Sequence, residues 1–272
     1  MIDRERLEQI VRAAGALALK AWPGQGPWAS PRENPLKTWY KSDGQPVCEA
    51  DMAVDAFLRA ELGALLPQAG WLSEETVDSP GQRDGDLIWL VDPIDGTRDF
   101  VAGRDGWAVS VALISCGRPL IGLLHAPARG NGGGGELWLA EEGRGATRDG
   151  RRLRASTRAD LAGARVPARL LGPEDADLTP VSQPNSIALR IAMVAADEAD
   201  LLATLRWGYE WDIGAACLIA REAGAAVSDA FGQALGYNKP DPRAFGVLVS
   251  APAIHAAAVA RLGPRARHIA GA

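Results

Sequence analysis

The stretch Asp86-Leu87-Ile88-Trp89-Leu90-Val91-Asp92-Pro93-Ile94-Asp95-Gly96-Thr97 constrains this 272-residue chain more than any other. Leu87 to Val91 is a short apolar run bounded by polar and turn-forming residues, the pattern of a buried strand. It leads directly into Asp-Pro-Ile-Asp-Gly-Thr. Pro93 sets one φ angle and Gly96 tolerates backbone conformations that other residues resist, so a sharp turn is expected there. Two carboxylates, Asp92 and Asp95, are thereby offered together at the end of a rigid strand. Hard divalent cations favour such oxygen ligands in fixed geometry, with positions left for water and phosphate. An Asx-type turn, with both acids capping backbone N–H groups, satisfies the same pattern. The stretch alone leaves both readings open.

Other acidic sites shift the balance. Upstream lies Trp71-Leu72-Ser73-Glu74-Glu75, an apolar pair followed by paired acids. Downstream lies Trp211-Asp212-Ile213-Gly214-Ala215-Ala216, an acid at the start of an Ala-rich helix. This ordered set resembles the signature of the inositol monophosphatase superfamily of Mg²⁺-dependent, lithium-sensitive phosphatases. Asp51, in Val47-Cys48-Glu49-Ala50-Asp51, matches a fourth element of that signature. The match is collinear from about Lys41 to the C-terminus.

Bulk properties agree with a soluble enzyme of small molecules. The composition is ordinary for a globular chain, 47% hydrophobic and 23% charged. A net charge of −5 argues against a nucleic-acid-binding surface, which is normally basic. Cys48, Cys116 and Cys217 form no CxxC pair and no zinc spacing, as expected in a reducing cytoplasm. Acids at Asp3, Glu5 and Glu8, without a continuous apolar core, argue against a signal peptide, and no apolar run is long enough to span a membrane.

Read in order, the chain opens with an amphipathic helix over 3–20, with Asp3 as its N-cap. A Gly- and Pro-rich loop follows to about Pro35. Asp43-Gly44 predicts a hairpin turn, in a Lys-Ser-Asp segment that family likeness makes a mobile loop beside the metal site. A helix starts near Glu49, and Asp51 lies in its first turn, where the helix dipole favours an anion. Gly70 to Leu72 is a short strand or loop. After the acidic motif, runs at Trp107–Ile114, Pro119–His125, Glu136–Ala140 and Ala146–Leu153 predict an antiparallel meander between about 85 and 155. The Gly run Asn131–Gly135 lacks the features of a phosphate loop and is expected to be a hairpin turn. The arginines at 148, 151, 152, 154 and 158 form the one basic patch, read as a solvated face, with anion attraction the alternative. Beyond 160, Asn185-Ser186 caps a helix, Leu201–Trp207 is a strand, Asp212–Glu222 a helix, and Pro252–Leu262 a terminal helix. The expected organisation is an N-terminal α+β lobe, 1–155, and a C-terminal α/β lobe, 156–272, sharing one cleft. The resemblance implies a layered αβαβα sandwich of the inositol monophosphatase and fructose-1,6-bisphosphatase type.

Glu74, Asp92, Asp95 and Asp212 in one cleft repel one another. Two unit charges 4 Å apart do so by about 4 kcal/mol at an effective dielectric near 20. Divalent ions remove that cost, and a donor set without His or Cys points to Mg²⁺, with Mn²⁺ as a substitute, over Zn²⁺. Carried over by position, the resemblance implies two or three ions. One is held by Glu74, Asp92 and the carbonyl oxygen of Ile94, and a second by Asp92, Asp95 and Asp212. It leaves Glu75 outside the direct ligands. Thr97 and Asp51 are the candidates to orient and deprotonate the attacking water. The backbone N–H groups of Gly96 and Thr97 are a candidate phosphate nest.

The substrate is less legible. Inositol monophosphatases carry a Glu seven residues before the Trp-Asp aspartate, and that position here is Leu205; their Gly-Thr/Ser-Ala segment is matched only by Asn185-Ser186-Ile187. Gly96-Thr97-Arg98-Asp99-Phe100 is similar to the Gly-Thr-Lys-Glu-Phe of the 3′(2′),5′-bisphosphate nucleotidase branch. Arg190 falls where that branch has a Lys suited to a second phosphate. Ser186 and Arg190 are therefore expected substrate contacts, with 3′-phosphoadenosine 5′-phosphate favoured over inositol, sugar or histidinol phosphates. A non-catalytic phospholigand-binding protein is the alternative from another class, opposed by the presence of every expected ligand and water-activating residue. Relatives are commonly dimers, and a homodimer is the expectation here.

Overall fold

The computed structural model describes residues 2–24, 36–40, 46–76, 83, 85–130 and 134–271. In chain order the elements begin with α1 (Arg4–Ala21), β1 (Thr38–Tyr40), β2 (Pro46–Cys48), α2 (Glu49–Leu65), β3 (Gly70–Ser73), β4 (Leu87–Asp95) and α3 (Thr97–Val101). Next come β5 (Ala108–Ser115), β6 (Arg118–Ala126), β7 (Glu136–Glu141), β8 (Gly145–Arg148) and β9 (Arg151–Arg152). The rest holds β10 (Arg165–Pro167), β11 (Thr179–Val181), α4 (Ile187–Ala195), β12 (Leu201–Tyr209), α5 (Glu210–Glu222), β13 (Ala226–Ser228), β14 (Arg243–Ser250) and α6 (His255–Ala270).

The expected meander is a seven-stranded sheet in the order β3-β4-β5-β6-β7-β8-β9, antiparallel except for the parallel β3–β4 pair at one edge. Both faces of it are buried, and the two-residue period of the strand divides them. Trp89 and Val91 of β4 point into a core shared with α1 and α2, while Ile88 and Leu90 point into a core shared with α4 and α5. A smaller sheet, β12-β14-β13, covers the far side of α4 and α5 with Leu202, Val247 and Val249. Its opposite face, through Leu201 and Leu248, packs on Ala258 and Leu262 of α6. The layers run helix, sheet, helix, sheet, helix, as the αβαβα expectation has it.

Close approach at β6 accounts for two glycines. A Cβ on Gly122 would lie 2.8 Å from the carbonyl oxygen of Ala215, so α5 sits directly on the strand. On the other face a Cβ on Gly15 of α1 would lie 2.1 Å from His125 Nδ1. The His125 Nε2–H donates to the carbonyl of Gly134 at 2.9 Å, which assigns the ring's neutral tautomer. Burial pushes the imidazole below its ordinary value, and the nearby Arg12 guanidinium adds to the shift. Above about pH 6.5 both folded and unfolded rings are neutral. Below it the unfolded chain takes up a proton that the folded one resists, so stability falls with pH until the folded ring itself titrates. The melting temperature is expected to drop between about pH 6.5 and 5, and His125→Gln to flatten that drop. An unchanged slope in a pH series of melts would contradict this.

Local signals are realised where chemistry fixes them. Asp3 caps α1 by accepting the N–H of Arg6, and Ser186 caps α4 by accepting that of Leu189. The strands flanking Asp43-Gly44 pair antiparallel, with the turn itself outside the described residues. Residues 131–133 of the Gly run are also outside them, and β7 follows that run. The terminal helix departs from expectation: a short 3₁₀ turn at Pro252–Ile254 precedes α6, which continues through Pro264 to Ala270. Packing of the buried Ala266 in the cluster with Phe245 and Ala230 carries it past the proline.

Candidate active site

An irregularity in the large sheet shapes the acidic motif. β4 and β5 pair regularly from Leu87↔Ser115 to Asp92↔Ser110, and the register then shifts before Asp95↔Ala108. Pro93, which has no N–H for the ladder, falls in that gap. Residues three apart face opposite sides of a regular strand. The bulge instead lets Asp92 and Asp95 line one cleft. The strand thus runs to Asp95, and the sharp turn is concentrated at Gly96. That residue has φ +97°, and a Cβ there would lie 2.7 Å from the Gly106 carbonyl oxygen and 2.9 Å from the Ser186 nitrogen.

Glu74, Asp92 and Asp212 arrive from separate elements: the end of β3, β4, and the first turn of α5. They offer carboxylate oxygens that all lie within 4.8 Å of one another. Glu74 is aligned by its N–H, which donates to the carbonyl of Val91 at 3.2 Å. Asp212 Oδ2 accepts the Tyr209 N–H at 3.0 Å, and Asp92 Oδ1 that of Ile94 at 3.0 Å. Burial, and then the charges of Glu74, Asp95, Asp212 and Asp51, hold Asp92 well above the usual carboxylate range. Burial, Asp95 and Glu74 do the same for Asp212. Converging carboxylate oxygens, buried at Asp92 and half-buried at Glu74 and Asp212, with no His or Cys among them, fit a hard divalent cation.

Asp51 and Thr97 meet beside this cluster. Asp51 Oδ2 accepts from the Cys48 N–H at 2.8 Å and from the Cys48 thiol at 2.9 Å. The Thr97 hydroxyl has two acceptors in reach, Asp51 Oδ1 at 3.3 Å and the Ile94 carbonyl at 3.0 Å. The dyad is therefore built from the first turns of α2 and α3.

Asp95 has a second task. Its Oδ2 accepts the Ser186 hydroxyl at 2.5 Å and the Ala188 N–H at 2.7 Å, and its Oδ1 accepts the Ile187 N–H at 3.3 Å. Burial pushes its carboxyl up to about 6 against the opposing pull of these donors. Asp95 thereby fastens the start of α4 to the cleft. Ser186, expected to touch substrate, is fully buried, with its hydroxyl donating to Asp95 and accepting the Leu189 N–H. Arg190 does line the cleft. Its guanidinium donates to the carbonyls of Ser186 at 3.3 Å and Asn185 at 3.0 Å, which steadies it over the cap.

The cleft encloses about 400 Å³ and is lined by side chains of both charges. Glu74, Asp92, Asp95 and Asp212 share it with Arg98, Arg190 and Arg206, and with Trp207 and Tyr209. Arg206 and Trp207 escape sequence reading. β12 and β14 lose register between Thr204 and Trp207, and Leu205 packs toward the α6 side while Arg206 lines the cleft. The run Arg206-Trp207-Gly208 just before the Trp-Asp motif is the only available signal. The basic patch at 148–158 lies elsewhere. Arg148 pairs with Glu198 at 2.7 Å, the Arg158 guanidinium donates to the Asp160 and Ala162 carbonyls, and no member of the patch lines the cleft.

Known proteins share this sequence pattern and fold. The sequence profile of the inositol monophosphatase family matches residues 4–266. An inositol-1-monophosphatase of Mesorhizobium japonicum is 34% identical over 209 residues, covering 71% of this chain and 76% of the relative. The 3′(2′),5′-bisphosphate nucleotidase CysQ of Escherichia coli is 29% identical over 246 residues, covering 85% and 92%. The solved structure of a Thermotoga maritima IMPase superimposes with a TM-score of 0.79 at 26% identity, over 97% of this chain and 99% of that one. Among the described residues no helix is long and apolar enough to cross a membrane. With a family match over nearly its whole length and the acidic cluster assembled in one cleft, the chain belongs to the inositol monophosphatase family and is a phosphoric monoester hydrolase.

Proposed function

We propose that the substrate is a small metabolite carrying two anionic groups, a 3′(2′),5′-bisphosphate nucleotide such as 3′-phosphoadenosine 5′-phosphate. The observation that carries this reading is the mixed charge of the cleft lining, where Arg98, Arg190 and Arg206 share the wall with the acids. A single phosphate answered by metal makes no use of these guanidinium groups, whereas a second phosphate suits such donors. The exposed Trp207 beside Arg206 offers an aromatic surface for a nucleobase.

Glu74, Asp92 and Asp212, with Asp95 and the Ile94 carbonyl, would hold the divalent ions, Mg²⁺ with Mn²⁺ as substitute. Bound there, such ions supply Lewis-acid polarisation of the phosphoryl group and cancel the repulsion among the carboxylates. Thr97 and Asp51 orient the attacking water, and Asp51 Oδ1 takes its proton. The N–H groups of Gly96 and Thr97 face the phosphate. A homodimer and inhibition by lithium belong to the same reading.

The test is phosphate release with Mg²⁺ from 3′-phosphoadenosine 5′-phosphate, inositol 1-phosphate, fructose 1,6-bisphosphate and histidinol phosphate. The highest kcat/KM is expected on the adenosine bisphosphate. A higher value on the inositol ester would assign the substrate class named by the Mesorhizobium relative instead.

A further inference from the structure

Asp55 lies one helical turn after Asp51 on α2, so the two carboxylates share a face of that helix. Asp55 does not line the cleft, and unlike Asp51 it takes no part in the chemistry described above. It is nonetheless buried. Its Oδ1 accepts the hydroxyl of Ser73 and its Oδ2 the hydroxyl of Thr76. Those residues bracket Glu74-Glu75 on either side. A single buried carboxylate therefore spans the short strap that presents Glu74.

That strap leaves the edge of the sheet. β3 is the edge strand of the large sheet and pairs with β4 on one side only, over Gly70↔Ile88 to Ser73↔Val91. Beyond Ser73 the sheet contributes the Glu74 N–H to Val91 carbonyl bond at 3.2 Å. Asp92 sits within a central strand and Asp212 in the first turn of a packed helix, so both are aligned by regular structure. Glu74 has neither advantage. A metal ligand at a strand's frayed end has to be aligned by contacts beyond the ligands themselves.

We propose that Asp55 is a positioning residue for the metal centre: it staples the Ser73–Thr76 strap to α2 and so sets the Glu74 carboxylate against Asp92 and Asp212. The inference rests on the reading of Glu74, Asp92 and Asp212 as the ion's ligands. It also ties the strap to the helix that carries Asp51, so the ligand end and the water-orienting end of the cleft share one rigid support.

The test is Mn²⁺ titration of the full chain, with free Mn²⁺ followed by electron paramagnetic resonance. Asp55→Ala is expected to weaken Mn²⁺ binding about 10- to 100-fold, the range for supporting partners of metal ligands. The pair Ser73→Ala with Thr76→Val removes the same two hydroxyls with little change of volume and is expected to weaken it similarly. That pair serves if Asp55→Ala fails to fold. In a Glu74→Gln background, adding Asp55→Ala is expected to cause little further loss, because the staple acts through Glu74. Binding within twofold of wild type in both folded variants overturns the proposal alone. Equal, additive losses with and without Glu74 also overturn it, since they would mark general destabilisation. Absence of Mn²⁺ binding by the wild-type chain overturns the metal reading and this inference together.

Discussion

An Asp92→Asn protein is expected to lose phosphatase activity by on the order of 10³-fold or more, the scale for removing a group that acts on transition-state charge. In the presence of a chelator the same protein is expected to melt at a higher temperature than wild type. The two effects have one cause. Asp92 is buried, and burial together with Glu74, Asp95 and Asp212 opposes its ionisation. Without ions that arrangement is a stored electrostatic cost, and Asn keeps the shape while removing the charge. Each kcal/mol recovered corresponds to a rise of roughly 2–4 °C for a chain of this size. Added Mg²⁺ should raise the wild-type melt through ligand linkage and leave the variant nearly unmoved. Paired calorimetric melts with chelator and with Mg²⁺ decide the matter. A variant that melts lower than wild type in chelator would mean that Asp92 is held by bonds worth more than the repulsion.

Arg206→Ala is expected to lower kcat/KM for 3′-phosphoadenosine 5′-phosphate by about 10- to 150-fold, the equivalent of one charged hydrogen bond of about 1.5–3 kcal/mol. Adenosine 3′-monophosphate lacks the second phosphate, and its kcat/KM should change little. Arg190→Ala is expected to show the same selectivity less cleanly, because its guanidinium also bonds the carbonyls at the start of α4. Steady-state kinetics with the two adenosine substrates measures the difference. Equal losses on both would remove Arg206 from any role in reading the second anion.

How much of this was legible in the chain can be seen at single residues. The run Leu87–Val91 announced the central strand, because a fully buried strand needs apolar residues on both faces. Asp3 and Ser186 announced helix starts through their capping chemistry, and both do cap. The spacing of the acids identified a candidate cluster, and the structure brings Glu74, Asp92 and Asp212 together. Roles were harder to read than positions. Ser186 was visible as a cap and also matched a substrate-contacting segment, and the structure shows the cap and its complete burial. Leu205 was visible as a departure from the inositol pattern, but the register shift that presents Arg206 instead depends on how β12 meets β14.

By itself the sequence determined which residues carry charge, which are apolar at strand or helix spacing, and where the backbone turns, because these are properties of a residue and its near neighbours. Through the family resemblance that those residues carry, it also implied the layered architecture and the chemistry available to the cleft. Tertiary structure alone decided which carboxylates share a site and which brace it. Asp92 and Asp95 line one cleft only because the β4–β5 register slips between them. Asp55 reaches Ser73 and Thr76 only because α2 packs beside the end of β3. The Asp55 pairings join residues 18 and 21 positions apart, and those of Asp95 with the start of α4 join residues 91 to 93 apart. They depend on where packed layers bring distant segments, and no local propensity encodes that distance.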